Sequence, residues 1–141
     1  MATFLVKTEP GTYSYDDLVR DRKTVWSGVS NPAALGHIRS VKQGDEALMY
    51  HTGNQTAIVG LARIVSNPYQ DPARPGVNAA GAPKFAVFDL APLKKAKMPV
   101  TLAAIKADAR FKDFALVRQG RLSVMPVPPE MDKAIRNLAG L

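Results

Sequence analysis

The sequence predicts an α+β fold, a partly closed β-barrel of about five or six strands with small peripheral helices. Three observations predict it. Apolar, β-branched stretches of strand length recur at irregular spacing along the chain. The helical segments between them are short and open on recognisable capping residues. No regular alternation of strands with long helices is present, so a doubly wound parallel sheet fits poorly.

Thr3 to Lys7 reads as the first strand, and Glu9-Pro10-Gly11 as a turn. Ser14-Tyr15-Asp16-Asp17 has the Ser-x-x-acid form that satisfies the free amides of a helix start. The helix it opens ends near Asp21, with Leu18 and Val19 expected to point inward. Thr24 to Trp26 is extended. Asn31-Pro32 opens a second helix, because asparagine accepts from an exposed amide and proline pre-sets the first helical φ. That helix runs to Ser40, weakened by Gly36. Gly44-Asp45 turns into a strand from Glu46 to His51, Gly53-Asn54 turns again, and Ala57 to Val65 returns with Gly60 as a bulge. Residues 68–83 hold four prolines and two glycines without apolar periodicity and read as a long loop of the kind that carries function or disorder. Lys84 to Leu93 is the next strand, Thr101 caps a helix to Ala107, Leu122 to Met125 is a last short strand, and Pro128-Pro129-Glu130 opens the C-terminal helix. Four small helices are thus expected, and no internal repeat is visible.

A chain of 141 residues fits one domain, 1–141. With 46% hydrophobic and 22% charged residues it has the composition of an ordinary globular protein. It has no cysteine, so disulfide and thiolate chemistry are excluded and a reducing, cytoplasmic home is expected. Its two histidines, His37 and His51, have no cysteine to join them, and neither metal nor cofactor is expected. No secretory signal and no membrane-length apolar run is seen, so the expectation is a soluble, monomeric protein with no membrane partner. The formal net charge of +7 is uneven: residues 1–70 hold 7 Lys/Arg against 6 Asp/Glu, and residues 71–141 hold 12 against 6. A basic half suits a polyanion, nucleic acid being the commonest, although positive charge also serves plain solubility.

Catalytic signatures are missing: no nucleophile elbow, phosphate loop, zinc helix or dinucleotide fingerprint occurs. His51 has no acid at a telling spacing and reads either as a general base or as a structurally satisfied histidine. Trp26 is the only tryptophan and is followed by Ser27 and Gly28, which would let a flat ligand approach the backbone beside the indole. A tryptophan packed beneath the barrel is the competing reading. Lys7-Thr8-Glu9, Tyr50-His51-Thr52 and Arg121-Leu122-Ser123-Val124 are polar strand ends that could meet on one rim.

These segments in this order resemble the EVE domain family, within the PUA-like fold. The likeness rests on Phe4-Leu5-Val6-Lys7-Thr8-Glu9-Pro10 with Tyr13-Ser14 and Asp17-Leu18, on Trp26-Ser27-Gly28-Val29-Ser30-Asn31, and on Lys42-x-Gly44-Asp45 leading to Tyr50-His51 and Ile58-Val59-Gly60. Tyr69-x-Asp71-Pro72, Val100-Thr101-Leu102 and Arg121-Leu122-Ser123-Val124-x-Pro126-Val127 complete it, over essentially the whole chain. EVE domains are similar to YTH domains, in which a tryptophan walls the pocket that holds a methylated adenine, and the family is regarded as reading modified bases. The usual acid and arginine of the tryptophan motif are replaced here by Ser27 and Ser30, so the identity of the base is not carried over.

The resemblance implies a binding domain rather than an enzyme, one that takes a flipped, modified base of DNA or RNA into an aromatic pocket. Trp26 would stack on the base, Ser27, Asn31 and Ser123 would bond its edge, and Val29 and Leu122 would line an apolar corner. Lys7, Gly28, Tyr50, His51 and Arg121 belong to the same matched segments. Lys94, Lys95, Lys97 and Arg118 are expected on phosphates. The alternative is a hydrolase of modified pyrimidine nucleosides, as in the similar ASCH domains, which use lysine, threonine and glutamate. Consecutive strand residues alternate faces, so Lys7, Thr8 and Glu9 are not expected to share one site, and a glutamate from elsewhere would be required.

Overall fold

The structure, a computed structural model, describes residues 1–141. Seven strands form one curled sheet: β1 (Thr3–Thr8), β2 (Thr24–Trp26), β3 (Glu46–His51), β4 (Ala57–Ile64), β5 (Tyr69–Gln70), β6 (Ala86–Thr101) and β7 (Val124–Pro126). The strand order is β2-β6-β4-β3-β1-β7, with β5 pairing the start of β6. Only β1 and β3 run parallel; the other pairs are antiparallel. β2 and β7 are not paired with each other, so the barrel is open along one seam.

Five α-helices sit around the sheet: α1 (Tyr15–Asp21), α2 (Pro32–Ser40), α3 (Leu102–Ala107), α4 (Ala115–Arg118) and α5 (Pro129–Ala139). Their starts follow the side-chain chemistry. Ser14 accepts from the Asp17 amide while the Asp17 carboxylate accepts from the Ser14 amide, a complete capping box. Asn31 Oδ1 accepts from the amides of Ala33 and Ala34, and Thr101 accepts from Ala104. In α1, Tyr15 and Leu18 are buried one turn apart, whereas Val19, a further 100° round the helix, is 49% exposed, not inward as its apolar character suggests. α4, which has no side-chain cap, and a single 3₁₀ turn at Ala109–Phe111, capped by Asp108, lie in a stretch without long apolar periodicity, and they anchor Phe111, Phe114 and Leu116 in the core.

The longest strand differs most from expectation. β6 continues eight residues beyond Leu93, through Lys94, Lys95 and Lys97, to Thr101. Its first residues pair β4, β2 or β5, but from Ala91 onward only β4 is a partner. An outer edge tolerates the missing amides of Pro92 and Pro99 and leaves the lysines in water. Residues 68–83 form the expected loop apart from β5 and a bridge between Val77 and Pro83.

Gly60 marks a register shift in both ladders of β4, and a Cβ there would lie 2.5 Å from the Tyr15 ring. The glycine therefore gives Tyr15 its place under the sheet, where its hydroxyl donates to Leu61 O at 2.8 Å. At the far side, Arg136 of α5 bridges Glu46 and Asp132 at 2.9 and 2.8 Å and ties the last helix to β3. No helix is long and apolar enough to cross a membrane.

Candidate functional site

A cleft of about 520 Å³ lies at the open seam. One wall is β2 with the loop that follows it: Thr24, Val25, Trp26, Ser27, Gly28, Val29 and Ser30. The opposite wall is the end of β1 and its turn, with Lys7, Thr8, Glu9, Thr12 and Tyr13, joined by Ser123 just ahead of β7. β2, at one end of the sheet order, thus faces the end of β1 and the residue that leads into β7, at the other. A volume of this size lies within the range of small-ligand pockets, about 300–1,000 Å³.

Trp26 combines both readings of its sequence context. It belongs to the hydrophobic core and is only 8% exposed, yet its remaining surface lines the cleft. Gly28 has φ +80° and open space where a Cβ would stand, so the wall beside the indole is backbone. Ser27 and Ser30 are exposed, which leaves polar donors and acceptors at the mouth.

The loop carrying these residues is held from outside by Arg74. Its Nη2 donates to Val29 O at 3.0 Å, its Nη1 to Ser30 Oγ at 3.1 Å and its Nε to Asp71 Oδ2 at 3.4 Å, while the guanidinium carbon lies 4.3 Å from the Phe85 ring centroid. Asp71 in turn accepts from the Ala73 amide, and Tyr69 donates to Asp89 at 2.6 Å, which pushes the phenol up to about 12. The Tyr69-x-Asp71-Pro72 segment is therefore the frame of an arginine clamp. Arg74 is absent from the sequence-based set; its only signal there is a lone cation in a proline-rich loop.

The remaining expected residues take several positions. Lys7 donates from Nζ to Gly120 O at 2.9 Å, its ammonium 5.7 Å from the Tyr50 ring, and burial pulls its pKa below the usual lysine range. The Lys7 amide donates to Ser123 O at 2.9 Å, which fixes Ser123 against the cleft. Tyr50 faces a second cleft, also bordered by Lys7, and its hydroxyl is pushed up by burial. His51 accepts at Nε2 from the Tyr15 amide at 3.0 Å, and burial holds its pKa below the ordinary imidazole value. It is thus a structural cap on α1 and does not line the Trp26 cleft. Asn31 is likewise outside that lining, its Oδ1 committed to α2, and Leu122 is buried in the core. Arg121 is exposed and lines neither cleft.

Lys7, Thr8 and Glu9 all border the same cleft, contrary to the expectation from strand alternation. β1 ends at Thr8, so Glu9 has already left the pleat. All three are engaged: Lys7 donates to Gly120 O, Thr8 Oγ1 to Tyr13 O at 2.6 Å, and Glu9 Oε2 accepts from Thr12 Oγ1 at 3.5 Å.

The four basic residues expected on phosphates divide into two pairs. Lys95 meets Asp16 at 2.9 Å and Arg118 meets Asp113 at 3.4 Å. Lys94 and Lys97 join no ion pair, though the stem of Lys97 covers Gly140.

Residues 2–138 match the EVE domain family. Among curated proteins the chain is similar to thymocyte nuclear protein 1 of Homo sapiens, 28% identical over 159 residues, covering 90% of this chain and 69% of the relative. Among solved structures, a Rhodopseudomonas palustris protein superposes with a TM-score of 0.88 at 39% identity, covering 99% of this chain and 94% of that one. Human THYN1 protein, solved in complex with DNA containing 5-methylcytosine, superposes at 0.88 with 26% identity, covering 100% of this chain and 99% of that chain. An ASCH protein of Zymomonas mobilis shares the fold at a TM-score of 0.65 and 15% identity, over 98% and 99% of the two chains.

Proposed function

The chain belongs to the EVE domain family, and from that premise we propose that it is a DNA-binding domain that holds a modified base in the Trp26 cleft without transforming it. The carrying observation is the cleft itself, which is open to solvent, lined by Trp26 and bordered by small residues on a clamped loop. The likeness to human THYN1 bound to 5-methylcytosine DNA extends over the full chain and supports a methylated pyrimidine as the guest. A base in a duplex reaches such a cleft only by leaving its stack, at a cost of a few kcal/mol. Stacking on the indole returns about 1–3 kcal/mol, and a methyl group buried against the apolar wall adds about 0.8 kcal/mol.

The test compares duplexes with and without one 5-methylcytosine, by fluorescence anisotropy. Because Trp26 is also a core residue, Trp26→Ala would cost about 3–5 kcal/mol of stability. Trp26→Phe keeps a ring in place and is the cleaner variant. It is expected to reduce the preference for the methylated duplex about tenfold while remaining folded. A folded Trp26→Phe protein with the wild-type preference rejects the pocket.

A hydrolytic reading draws on one observation, that Lys7, Thr8 and Glu9 border a single cleft. The hydrogen bonds that occupy Lys7 and Thr8 favour binding over catalysis. Incubation with modified pyrimidine nucleosides, read by chromatography, separates the two: product formation that Glu9→Gln abolishes establishes the enzyme.

A further inference from the structure

Lys7 stands between two clefts, and the second has a chemistry the first lacks. It holds about 260 Å³ and lies where the ends of β1 and β3 meet α3 and α4. Its polar lining is Lys7 and Lys106 together with the hydroxyl residues Tyr50, Thr52 and Thr56, and no carboxylate borders it. Neither lysine joins an ion pair, so neither charge is neutralised by a carboxylate of the chain. Resting on the reading of the Trp26 cleft as a base pocket, we propose that this second cleft is a phosphate seat, taking the backbone phosphate beside the base that the first cleft holds.

Size, charge and continuity carry the assignment. The volume falls below the roughly 300 Å³ at which small-molecule pockets begin, so a second base with its sugar has no room. At roughly 30 Å³ per water, the space fits a phosphate group with a few waters. The Lys106 ammonium and the Lys7 protons not given to Gly120 O supply donors to such an anion, the Thr52 hydroxyl being turned to Thr8 O, and the partly buried Lys7 gains the counter-charge that its surroundings lack. Lys7 also reaches both clefts, so one side chain can touch base and phosphate of neighbouring positions along a strand.

The experiment uses the full 15N-labelled chain, followed by NMR during titration with 5-methyl-2′-deoxycytidine, its 3′- and 5′-monophosphates, and inorganic phosphate. The nucleoside is expected to move the Trp26 indole alone. At least one monophosphate should move the Trp26 indole together with the amides of Thr52, Lys106 and Gly120, and inorganic phosphate only those amides. Lys106→Gln, at an exposed position, should erase the phosphate response and leave the indole response unchanged. The same variant should weaken a short methylated oligonucleotide about tenfold, as expected for one charge-assisted contact. Phosphate shifts that are absent, spread evenly over the lysine-rich surface, or retained in Lys106→Gln overturn the seat. A nucleoside that fails to move Trp26 overturns the base pocket instead, and the inorganic phosphate arm still decides the second cleft by itself.

Discussion

Arg74 and Val29 are joined by a 3.0 Å hydrogen bond from guanidinium to carbonyl, across 45 residues of sequence, and this contact fixes the loop beside Trp26. The same guanidinium rests on Phe85, so charge, stacking and two hydrogen bonds act on one wall of the cleft.

Arg74→Lys keeps the charge but loses the planar fork and most of the stacking. Modified-DNA affinity is expected to fall about tenfold while stability falls by only about 1 kcal/mol. Anisotropy and thermal melting, measured on the same preparation, check the split; equal effects on both would make Arg74 a general stability residue.

Asn31→Ala removes the cap of α2. The expected cost is about 1 kcal/mol of stability, with DNA affinity close to wild type, because Oδ1 serves the helix and not the cleft. A tenfold loss of affinity at unchanged melting temperature would return Asn31 to the base-contacting set.

Gly60→Ala places a methyl group against the Tyr15 ring, which is fully buried and bonded to Leu61. Overpacking of this kind costs about 1–3 kcal/mol, readable as a lower midpoint in urea with little change in slope.

Lys94→Gln with Lys97→Gln tests the unpaired cations of β6. Affinity for methylated and unmethylated DNA should fall together, and the salt dependence of log K should become shallower by about one to two units. Unchanged salt dependence would place the DNA path away from this edge.

His51 accepts from an amide, so its neutral form is the one the fold uses. Burial depresses its folded pKa, and the unfolded chain therefore takes up the proton first as pH falls. This contribution to stability is complete above the unfolded value of about 6.5 and declines as pH drops below it. Melting temperatures from pH 8 to pH 5 should show that decline. His51→Gln should lack the portion between pH 6.5 and pH 5, and identical profiles would remove His51 as its source.

Caps and turns were the most legible part of the chain. Ser14, Asn31 and Thr101 start helices because each needs only a side-chain oxygen three residues from an amide, a purely local relation. The curled, incompletely closed sheet followed from strand length and irregular connections. The parallel pairing of β1 with β3 did not, since partner choice between strands 40 residues apart leaves no local trace. The second half of β6 was hidden for a different reason: its prolines and lysines read as a breaker until its position on the sheet edge is known. Of the site, Trp26 and Ser123 could be proposed from motif order. The roles of Arg74, His51 and Asn31 depend on which partner each side chain meets, and only tertiary structure brings those partners within reach.

The facing walls of the Trp26 cleft come from opposite ends of the strand order. Whatever lodges there acts as a clasp on the sheet, fastening β2 to the junction of β1 and β7, which no backbone ladder connects. Occupancy should therefore slow amide exchange in the first and last strands of that order together, at segments more than 90 residues apart in sequence.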